Sequence, residues 1–143
     1  MYTLDASLHI SALNPTEADS ELSRAFLVHV QRQQLPLLCP TLMLVEVAAA
    51  VVRALGDAER ATALALTLRG WPSQTLIPLD GPLMERAIHL AAVARLRGAD
   101  AVYAAVAQRY DTTLVTLDRQ QLERLPSLLR TARPDAILRD LAL

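Results

Sequence analysis

The chain has 143 residues, 52% of them hydrophobic and 20% charged, with 15 acidic and 14 basic side chains and a formal net charge of −1. A charge balance this close to neutral excludes binding to nucleic acid through a broadly basic surface, so any such chemistry must come from a local site. The length and the apolar content predict one globular domain over residues 1–143 and argue against a disordered chain.

The apolar runs are short, as in Val47 to Val52, and none approaches the roughly 20 residues that a membrane-spanning helix needs. The N-terminus lacks a basic segment followed by an apolar one, so we expect a soluble, unexported, cytoplasmic protein. The single cysteine, Cys39, cannot form an internal disulfide and has apolar neighbours, which indicates a buried thiol. Every basic residue is arginine, which excludes mechanisms that need a lysine.

The first half of the chain is predicted to alternate strands and helices. Strands are predicted at residues 2–5 and 35–39, and helices at 6–14, 16–34, 42–55 and 58–69. Thr16 and Asp19 have capping-box spacing at the start of the second helix. Thr41 is placed to cap the third helix and Gly56 to end it, and Asp57 is placed to cap the fourth.

The second half continues the alternation and fixes the predicted fold class. Strands are predicted at residues 75–79 and 112–117 and, more weakly, at 127–132, with helices at 81–98, 99–110, 118–125 and 134–143. Pro82 lies near the start of the first of these helices and Gly98 is predicted to terminate it. Alternating strands and helices indicate a parallel sheet covered on both faces, so we predict a three-layer α/β/α sandwich.

Four carboxylates are predicted to meet at one edge of this sheet. Asp5 ends the first strand, and Glu46 lies in the first turns of the helix that follows the second strand. The helix that begins at Asp100 descends about 16 Å, and the five-residue strand before Asp118 climbs back about 16 Å, so both return to the same edge. The edge where parallel strands end is where ligand crevices form.

A divalent cation is the simplest explanation for such a cluster. Two carboxylates about 5 Å apart repel by roughly 3 kcal/mol at an effective dielectric of 20. Glu46 lies in a helix that is apolar on nearly every side, which predicts a helix buried all round. A buried carboxylate is unfavourable unless it is paired, protonated or bound to metal. All-oxygen ligands favour Mg²⁺ or Mn²⁺ over zinc, and the three histidines lie in separate predicted helices without ligand spacing.

The same residues also have ordinary structural explanations. Asp100 at a helix start is typical of a cap, and Asp118 after a strand is typical of a turn. Glu46 has Arg53 seven residues further along its helix, although the helical rise puts them about 10 Å apart. Because the chain has 15 acidic residues, chance clustering is a further alternative to a metal site.

Four segments carry a resemblance to a known family. They are TLDASLHISAL, LMLVEVAAAVVRAL, GADAVYAAVAQRY and LVTLDRQQLERL. In this order and spacing they resemble the PIN-domain nucleases, in particular the short, single-domain VapC-like toxins of bacterial and archaeal toxin–antitoxin pairs. The resemblance covers nearly the whole chain and is weakest over residues 57–82. It implies a PIN-like α/β/α sandwich, a Mg²⁺- or Mn²⁺-dependent endoribonuclease that hydrolyses RNA, a small antitoxin partner and a homodimer.

The resemblance also implies roles for individual residues. Asp5, Glu46, Asp100 and Asp118 fall on the family's acidic positions, and Ser7 and Thr116 on its accompanying hydroxyl positions. Asp5 and Asp100 are the expected direct metal ligands, with Glu46 and Asp118 acting directly, through water or on a second ion. Thr116 or Ser7 is expected to orient a carboxylate or a water, unless it simply finishes a strand or caps a helix.

Three arginines and several alternative functions also have to be considered. Arg53, Arg97 and Arg119 flank the acidic elements and are candidates for holding RNA phosphates. A receiver domain or a dehalogenase-type phosphatase is excluded because each needs a lysine. A non-catalytic PIN-fold interaction module, and a nuclease that acts on DNA or in RNA processing, remain as alternatives.

Overall fold

The computed structural model describes residues 1–142 and contains one five-stranded sheet. The strands are β1 (Tyr2–Leu4), β2 (Leu37–Pro40), β3 (Gln74–Ile77), β4 (Thr113–Val115) and β5 (Thr131–Ala132). The helices are α1 (Ala6–Leu13), α2 (Ser20–Arg32), α3 (Leu42–Leu55), α4 (Ala58–Arg69), α5 (Gly81–Ala94), α6 (Gly98–Arg109), α7 (Arg119–Arg124) and α8 (Pro134–Leu141). The strands lie in the order β3-β2-β1-β4-β5, and every neighbouring pair is parallel.

The connections explain the layers. The chain moves in one direction across the sheet from β1 to β2 to β3, and then returns past β1 to β4 and β5. Because crossovers between parallel strands are right-handed, the helices of the outward and return connections lie on opposite faces. The contacts agree, since α1 packs on α2 and α3 while α5 packs on α6. The predicted three-layer α/β/α sandwich with a central parallel sheet is therefore confirmed.

The core is centred on α6, which packs on β1, β2 and β4. Its residues Ala101–Ala107 are all buried, and alanine lets the helix approach the sheet closely. Tyr103 and Phe26 are the largest fully buried side chains. Asp100 belongs to this same buried helix, so the central helix of the fold carries one of the predicted acids to the sheet edge.

Several predicted boundaries are confirmed. Gly56 ends α3 in the left-handed region with φ 66°, and the side chain of Asp57 caps α4 by accepting a hydrogen bond from the backbone of Arg60. Cys39 is fully buried, as its apolar neighbours predicted, and burial raises the pKa of its thiol to about 12. The predicted C-terminal helix extended to residue 143, which lies outside the described residues.

Two predicted capping interactions are absent, although α3 begins at Leu42 as predicted. Thr16 and Asp19 form no capping box, because Thr16 bonds to Asn14 and Asp19 pairs with Arg133 at 2.8 Å. The side chain of Thr41 makes no capping hydrogen bond to α3.

The helix at residues 81–98 is also shorter than predicted. It ends at Ala94, where Arg95 turns the chain with φ 53° and the backbone N–H of buried Leu96 bonds to the carbonyl of Ala91. Gly98, which was predicted to terminate this helix, instead begins α6. Strand β4 ends at Val115, two residues earlier than predicted, and the side chain of the next residue, Thr116, bonds to Asp5 in the acidic cluster.

Helix α3 is not buried on all sides, contrary to the prediction from its composition. Val45 is 64% exposed, and Val52 and Leu55 are also exposed. The apolar surface that this helix presents is therefore available to contact another molecule. Within residues 1–142, none of the helices has the length and apolarity that crossing a membrane requires.

Candidate active site

The four predicted acids share one cavity at the carboxyl edge of the sheet. Strands β1 and β4 are neighbours, and the chain leaves them toward opposite sides of the sheet, which is the arrangement that opens a crevice in α/β folds. A cavity of about 470 Å³ lies there. Its lining includes Asp5, Glu46, Asp100 and Asp118. The structure thus brings together all four residues that were predicted to converge.

Asp5 is the most firmly held of the four carboxylates. It follows β1, caps α1 and is buried, with Oδ1 accepting from the backbone of Ser7 at 3.3 Å. Its Oδ2 accepts from the hydroxyl of Thr116 at 2.6 Å and from the side-chain amide of Gln121 at 2.9 Å. The hydroxyl of Ser7 donates to the same oxygen at 3.2 Å. These donors fix the carboxylate in one orientation beside the cavity.

Two hydroxyl residues hold Asp5 in position. Thr116 is fully buried, donates to Asp5 and accepts from the backbone of Asp118 at 2.9 Å. The hydroxyl of Ser7 also accepts from the backbone of Leu117 at 3.2 Å, which ties the start of α1 to the end of β4. Ser7 lines the cavity, whereas Thr116 does not. Thr116 is therefore placed to orient a carboxylate.

Asp100 and Asp118 are joined by one arginine. Arg97 donates from Nε to Oδ2 of Asp100 at 3.0 Å and from Nη2 to Oδ2 of Asp118 at 2.8 Å. Asp118 also caps α7, accepting from the backbone of Gln121 at 2.9 Å. Both carboxylates are thus engaged on one side, and Asp118 has the structural role of a cap in addition to its place in the cavity.

Gln121 is a member of the site that the sequence did not reveal. Its Nε2 donates to Asp5 Oδ2 at 2.9 Å and to Asp100 Oδ1 at 3.2 Å. One amide group therefore holds the carboxylates of Asp5 and Asp100 close together. The side chain is fully buried, and its Oε1 has no hydrogen-bond partner in the described part of the chain. The signal was its position three residues after Asp118, on the same face of α7.

Glu46 reaches the site from α3 and is held by a tyrosine. The hydroxyl of Tyr103 donates to Glu46 Oε1 at 2.5 Å. The carboxylate is half-buried, and it bonds to this tyrosine in place of the ion pair with Arg53 that the sequence suggested as an alternative. Tyr103 lies three residues after Asp100 on α6, so one helix contributes both an acid and the support for a second acid.

Burial raises the pKa of three of these carboxyl groups. For Asp5 it outweighs the hydrogen bonds from its hydroxyl and amide donors, which lower the pKa. For Glu46 the charges of Asp5 and Asp100 add to the effect of burial, although the bond from Tyr103 opposes it. Burial also raises the pKa of Asp100, although Arg97 lowers it. Groups that are costly to ionise in the folded chain gain most from a nearby cation.

Two further acids lie at the rim of the cavity. Glu17 and Asp19, in the segment between α1 and α2, line it together with the predicted four. Asp19 is paired with Arg133 at 2.8 Å. Of the remaining arginines that the sequence suggested, Arg53 lines a different groove and Arg119 is exposed at the start of α7. Only Arg97 therefore lines the acidic cavity among the three arginines considered.

The donor chemistry of the cavity fits a hard divalent cation. It offers carboxylate oxygens from four elements of the fold and no thiolate or imidazole among its lining residues. Across residues 1–142, no three His, Cys, Asp or Glu side chains are already arranged around one point, since Gln121 and Arg97 lie between the carboxylates. Mg²⁺ keeps several waters in protein sites and is bound by one or two carboxylates, which suits this arrangement.

Comparison with known proteins identifies a family model and a set of similar structures. The model described as "PIN domain" matches residues 2–128. The structure of the Mycobacterium tuberculosis protein VapC20, titled a sarcin-ricin loop cleaving toxin, superposes with a TM-score of 0.76 at 16% identity, covering 94% of this chain and 100% of that one. The sequence matches no curated protein at a significant level.

Two further solved structures are similar to this chain. FitAcB from Neisseria gonorrhoeae superposes with a TM-score of 0.69 at 18% identity, covering 94% of this chain and 98% of that chain. VapBC2 from Rickettsia felis, bound to a DNA fragment from its promoter, superposes with a TM-score of 0.68 at 17% identity, covering 92% and 97%. At these identities the likeness concerns the fold.

Proposed function

The chain belongs to the PIN-domain family, and from that premise we propose that it is a metal-dependent endoribonuclease and the toxin of a toxin–antitoxin pair. The observation that carries the proposal is the convergence of Asp5, Glu46, Asp100 and Asp118 on one cavity. The toxins with similar folds support the biological role. We take residues 1–143 to act as one domain in the cytoplasm, where RNA is available.

Asp5 and Asp100 would hold the metal, with Glu46 and Asp118 binding directly, through water or at a second ion. Bound Mg²⁺ or Mn²⁺ would supply Lewis-acid stabilisation of the scissile phosphate and lower the pKa of a water. Thr116 and Ser7 keep Asp5 in place through their hydrogen bonds to Oδ2.

Glu46 is the best-placed group to move a proton. Its Oε1 accepts a hydrogen bond from Tyr103, Oε2 accepts none from any described residue, and Glu46 lines the cavity. Burial raises the pKa of this carboxyl, and a base is more effective when its pKa is closer to the working pH. Oε2 can therefore take the proton of the attacking water.

The cleavage assay tests this function directly. Purified protein should cut single-stranded or looped RNA with Mg²⁺ or Mn²⁺ and stop in EDTA. DNA of the same sequence is the control for substrate, because no group in the cavity is dedicated to the 2′-hydroxyl. Equal cleavage of that DNA would indicate a general nuclease, cleavage without metal would contradict the mechanism, and no cleavage of either would favour a non-catalytic interaction module.

A second groove supports the antitoxin partner. It has a volume of about 650 Å³ and lies between α1, α3 and α4, with Leu13 and Leu55 exposed along it. Ile10 and Glu17 line both this groove and the acidic cavity. An apolar segment of a small antitoxin in the groove would therefore reach the carboxylates without a break. Substituting Leu55→Asp should weaken the complex while leaving cleavage by the free protein intact.

An apolar patch on another side supports a homodimer. Val45 and Ile88 are 64% and 61% exposed, and Leu79 and Met84 are exposed beside them. Leu79 lines both of the adjoining grooves that this patch contains, so the apolar surface is continuous between α3 and α5. Large contiguous apolar surfaces of this kind mark protein interfaces. The mass in solution should be that of two chains, and Ile88→Asp should reduce it to one.

A further inference from the structure

Arg97 occupies the carboxylate oxygens that a metal would need. Its Nε and Nη2 bind Oδ2 of Asp100 at 3.0 Å and Oδ2 of Asp118 at 2.8 Å. The side chain of Arg97 is 69% exposed, whereas those of Asp100 and Asp118 are 10% and 22% exposed. The exposed side chain of Arg97 therefore neutralises two acids whose own side chains are largely buried.

We propose that Arg97 is an intrinsic counter-ion of the acidic cavity, which competes with the divalent cation for Asp100 and Asp118 and so sets the metal concentration at which the site fills. The inference rests on the proposed function, because it concerns the same site. Each Oδ2 accepts one guanidinium hydrogen bond from Arg97. Gln121 already bonds to the other oxygen of each carboxylate, through Nε2 for Asp100 and through its backbone N–H for Asp118, so the described residues leave no oxygen of either acid without a donor. Entry of the metal thus requires Arg97 to move.

The geometry allows that movement. The guanidinium is mostly in water, and exposed ion pairs are weak because solvent screens them and the long side chain loses freedom when it is held. Arg97 is anchored at the start of α6 and lines the cavity itself, so a released guanidinium stays beside the acids. There it can meet the phosphate of a bound RNA, for which a planar guanidinium is well suited.

A purely structural role predicts a different result. Arg97 lies three residues before Asp100, at the position that precedes α6, and such a pair could serve only to hold the helix start. Loss of a structural pair lowers stability and does not favour metal binding. Competition predicts the opposite for the metal, since removing Arg97 leaves the two carboxylates free to bind it.

The experiment measures Mn²⁺ binding without RNA by isothermal titration calorimetry at fixed ionic strength. Arg97→Gln should bind Mn²⁺ about tenfold more tightly than the wild type, the effect of losing two ion pairs that share one exposed guanidinium. Arg119→Gln is the matched control. It removes one exposed arginine next to Asp118 that makes no ion pair within the described residues, and its affinity should stay within about twofold of wild type.

The possible outcomes distinguish a failure of the proposed competition by Arg97 from a failure of the proposed metal-dependent function. Equal Mn²⁺ affinity in Arg97→Gln and Arg119→Gln would overturn the competition and leave the proposed metal site standing. No Mn²⁺ binding by any of the three proteins would overturn both. If Arg97→Gln fails to fold, Arg97→Lys is tested in its place, because lysine keeps the positive charge but loses the planar guanidinium that bonds to both acids. Tighter binding than wild type supports competition, and unchanged binding overturns it.

Discussion

The hydroxyl of Tyr103 bonds to Oε1 of Glu46 at 2.5 Å, so a fully buried residue of α6 positions a half-buried acid of α3. Burial raises the pKa of the Tyr103 phenol well above its usual range, so the tyrosine remains a donor at any working pH. Because Asp100 lies one turn earlier on α6, the bond also sets the position of Glu46 relative to Asp100. The spacing of the two acids therefore depends on a residue outside the predicted set.

Tyr103→Phe should lower kcat about tenfold, since a carboxylate that is no longer held spends less time in a productive orientation. KM for RNA should change by less than about twofold, because Tyr103 is buried and does not line the cavity. The free energy of unfolding should fall by about 2 kcal/mol, the usual net value of one hydrogen bond to a charged group. Tyr110→Phe, at a partly exposed tyrosine outside the cavity, is the control. An unchanged kcat would contradict the positioning role.

Asp100→Asn should abolish cleavage and leave the metal-free protein as stable as wild type to within about 1 kcal/mol, or more stable. Burial raises the pKa of this carboxyl despite Arg97, so its charge is a net cost in the folded chain without metal. Asparagine keeps the shape and an oxygen for the bond from Gln121. Saturating Mg²⁺ at 100 times its Kd should stabilise wild type by about 2.7 kcal/mol and the variant by much less.

Thermal melts with EDTA and with Mg²⁺ measure both effects. Asp111→Asn serves as the control, because Asp111 is an exposed turn residue away from the cavity and its variant should respond to Mg²⁺ like wild type. A large loss of stability in metal-free Asp100→Asn would mean that Asp100 is chiefly a partner of Arg97, and the site assignment would then be wrong.

The fold could be predicted because local signals and tertiary packing agree. The alternation of apolar segments, Gly56 after α3 and Asp57 before α4 all act through the backbone within a few residues, so the sequence displays them directly. The convergence of the acids also followed from element lengths, since a helix and the next strand retrace the same distance. Helix α3 was misjudged because composition does not reveal which apolar face lacks a neighbour.

The supporting side chains could not be predicted in the same way. Gln121 bonds to Asp5 across 116 positions and Tyr103 to Glu46 across 57, and neither glutamine nor tyrosine is unusual in a helix. The sequence predicted that Arg97 binds RNA phosphates. Its pairing with Asp100 and Asp118 depends on the approach of α6 to α7, which the sequence does not show. Such contacts become visible only once the helices are placed in space.

His9→Phe should change how stability depends on pH. Burial in an apolar setting lowers the pKa of His9 from 6.5 to about 4, and its Nε2 has no hydrogen-bond partner among residues 1–142. The unfolded chain therefore binds the proton more tightly. The neutral form of His9 therefore contributes about 3 kcal/mol to the free energy of unfolding. This contribution is complete above about pH 6.5 and is lost as the pH falls toward 4.

Urea unfolding of wild type and His9→Phe between pH 7.5 and 4 measures that contribution. The variant keeps an aromatic ring against Trp71, whose ring centre lies 5.8 Å from that of His9. Its stability relative to wild type should rise steadily as the pH falls, and contributions from carboxyl groups common to both proteins cancel in the difference. His89→Gln, at an exposed histidine, should follow wild type. Parallel curves for His9→Phe and wild type would show that His9 does not carry this dependence.

An active ribonuclease must be restrained in the cell that makes it, and the acidic cavity suggests how a partner could do this. A guanidinium bonds carboxylates bidentately and can take the place of a metal. Arg97 already bonds to Asp100 and to Asp118, once to each. Asp5 and Glu46 line the same cavity and are not bound by Arg97, and the cavity shares Ile10 and Glu17 with the apolar groove, so an arginine at the end of an antitoxin segment has access to them.

We therefore expect an antitoxin arginine to enter the site formed by Asp5, Glu46, Asp100 and Asp118, while apolar contacts in the groove supply most of the affinity. Because this arginine and Mg²⁺ need the same carboxylates, inhibition should weaken as Mg²⁺ rises. The test purifies the protein with the product of any adjacent short reading frame, replaces the arginines of that partner one at a time, and assays RNA cleavage across a Mg²⁺ titration. One replacement should restore cleavage at low Mg²⁺ while the complex persists. If inhibition stays complete after every replacement and at every Mg²⁺ concentration, inhibition by an arginine in the acidic cavity is ruled out. The partner bound in the apolar groove would then have to block access to the site by itself.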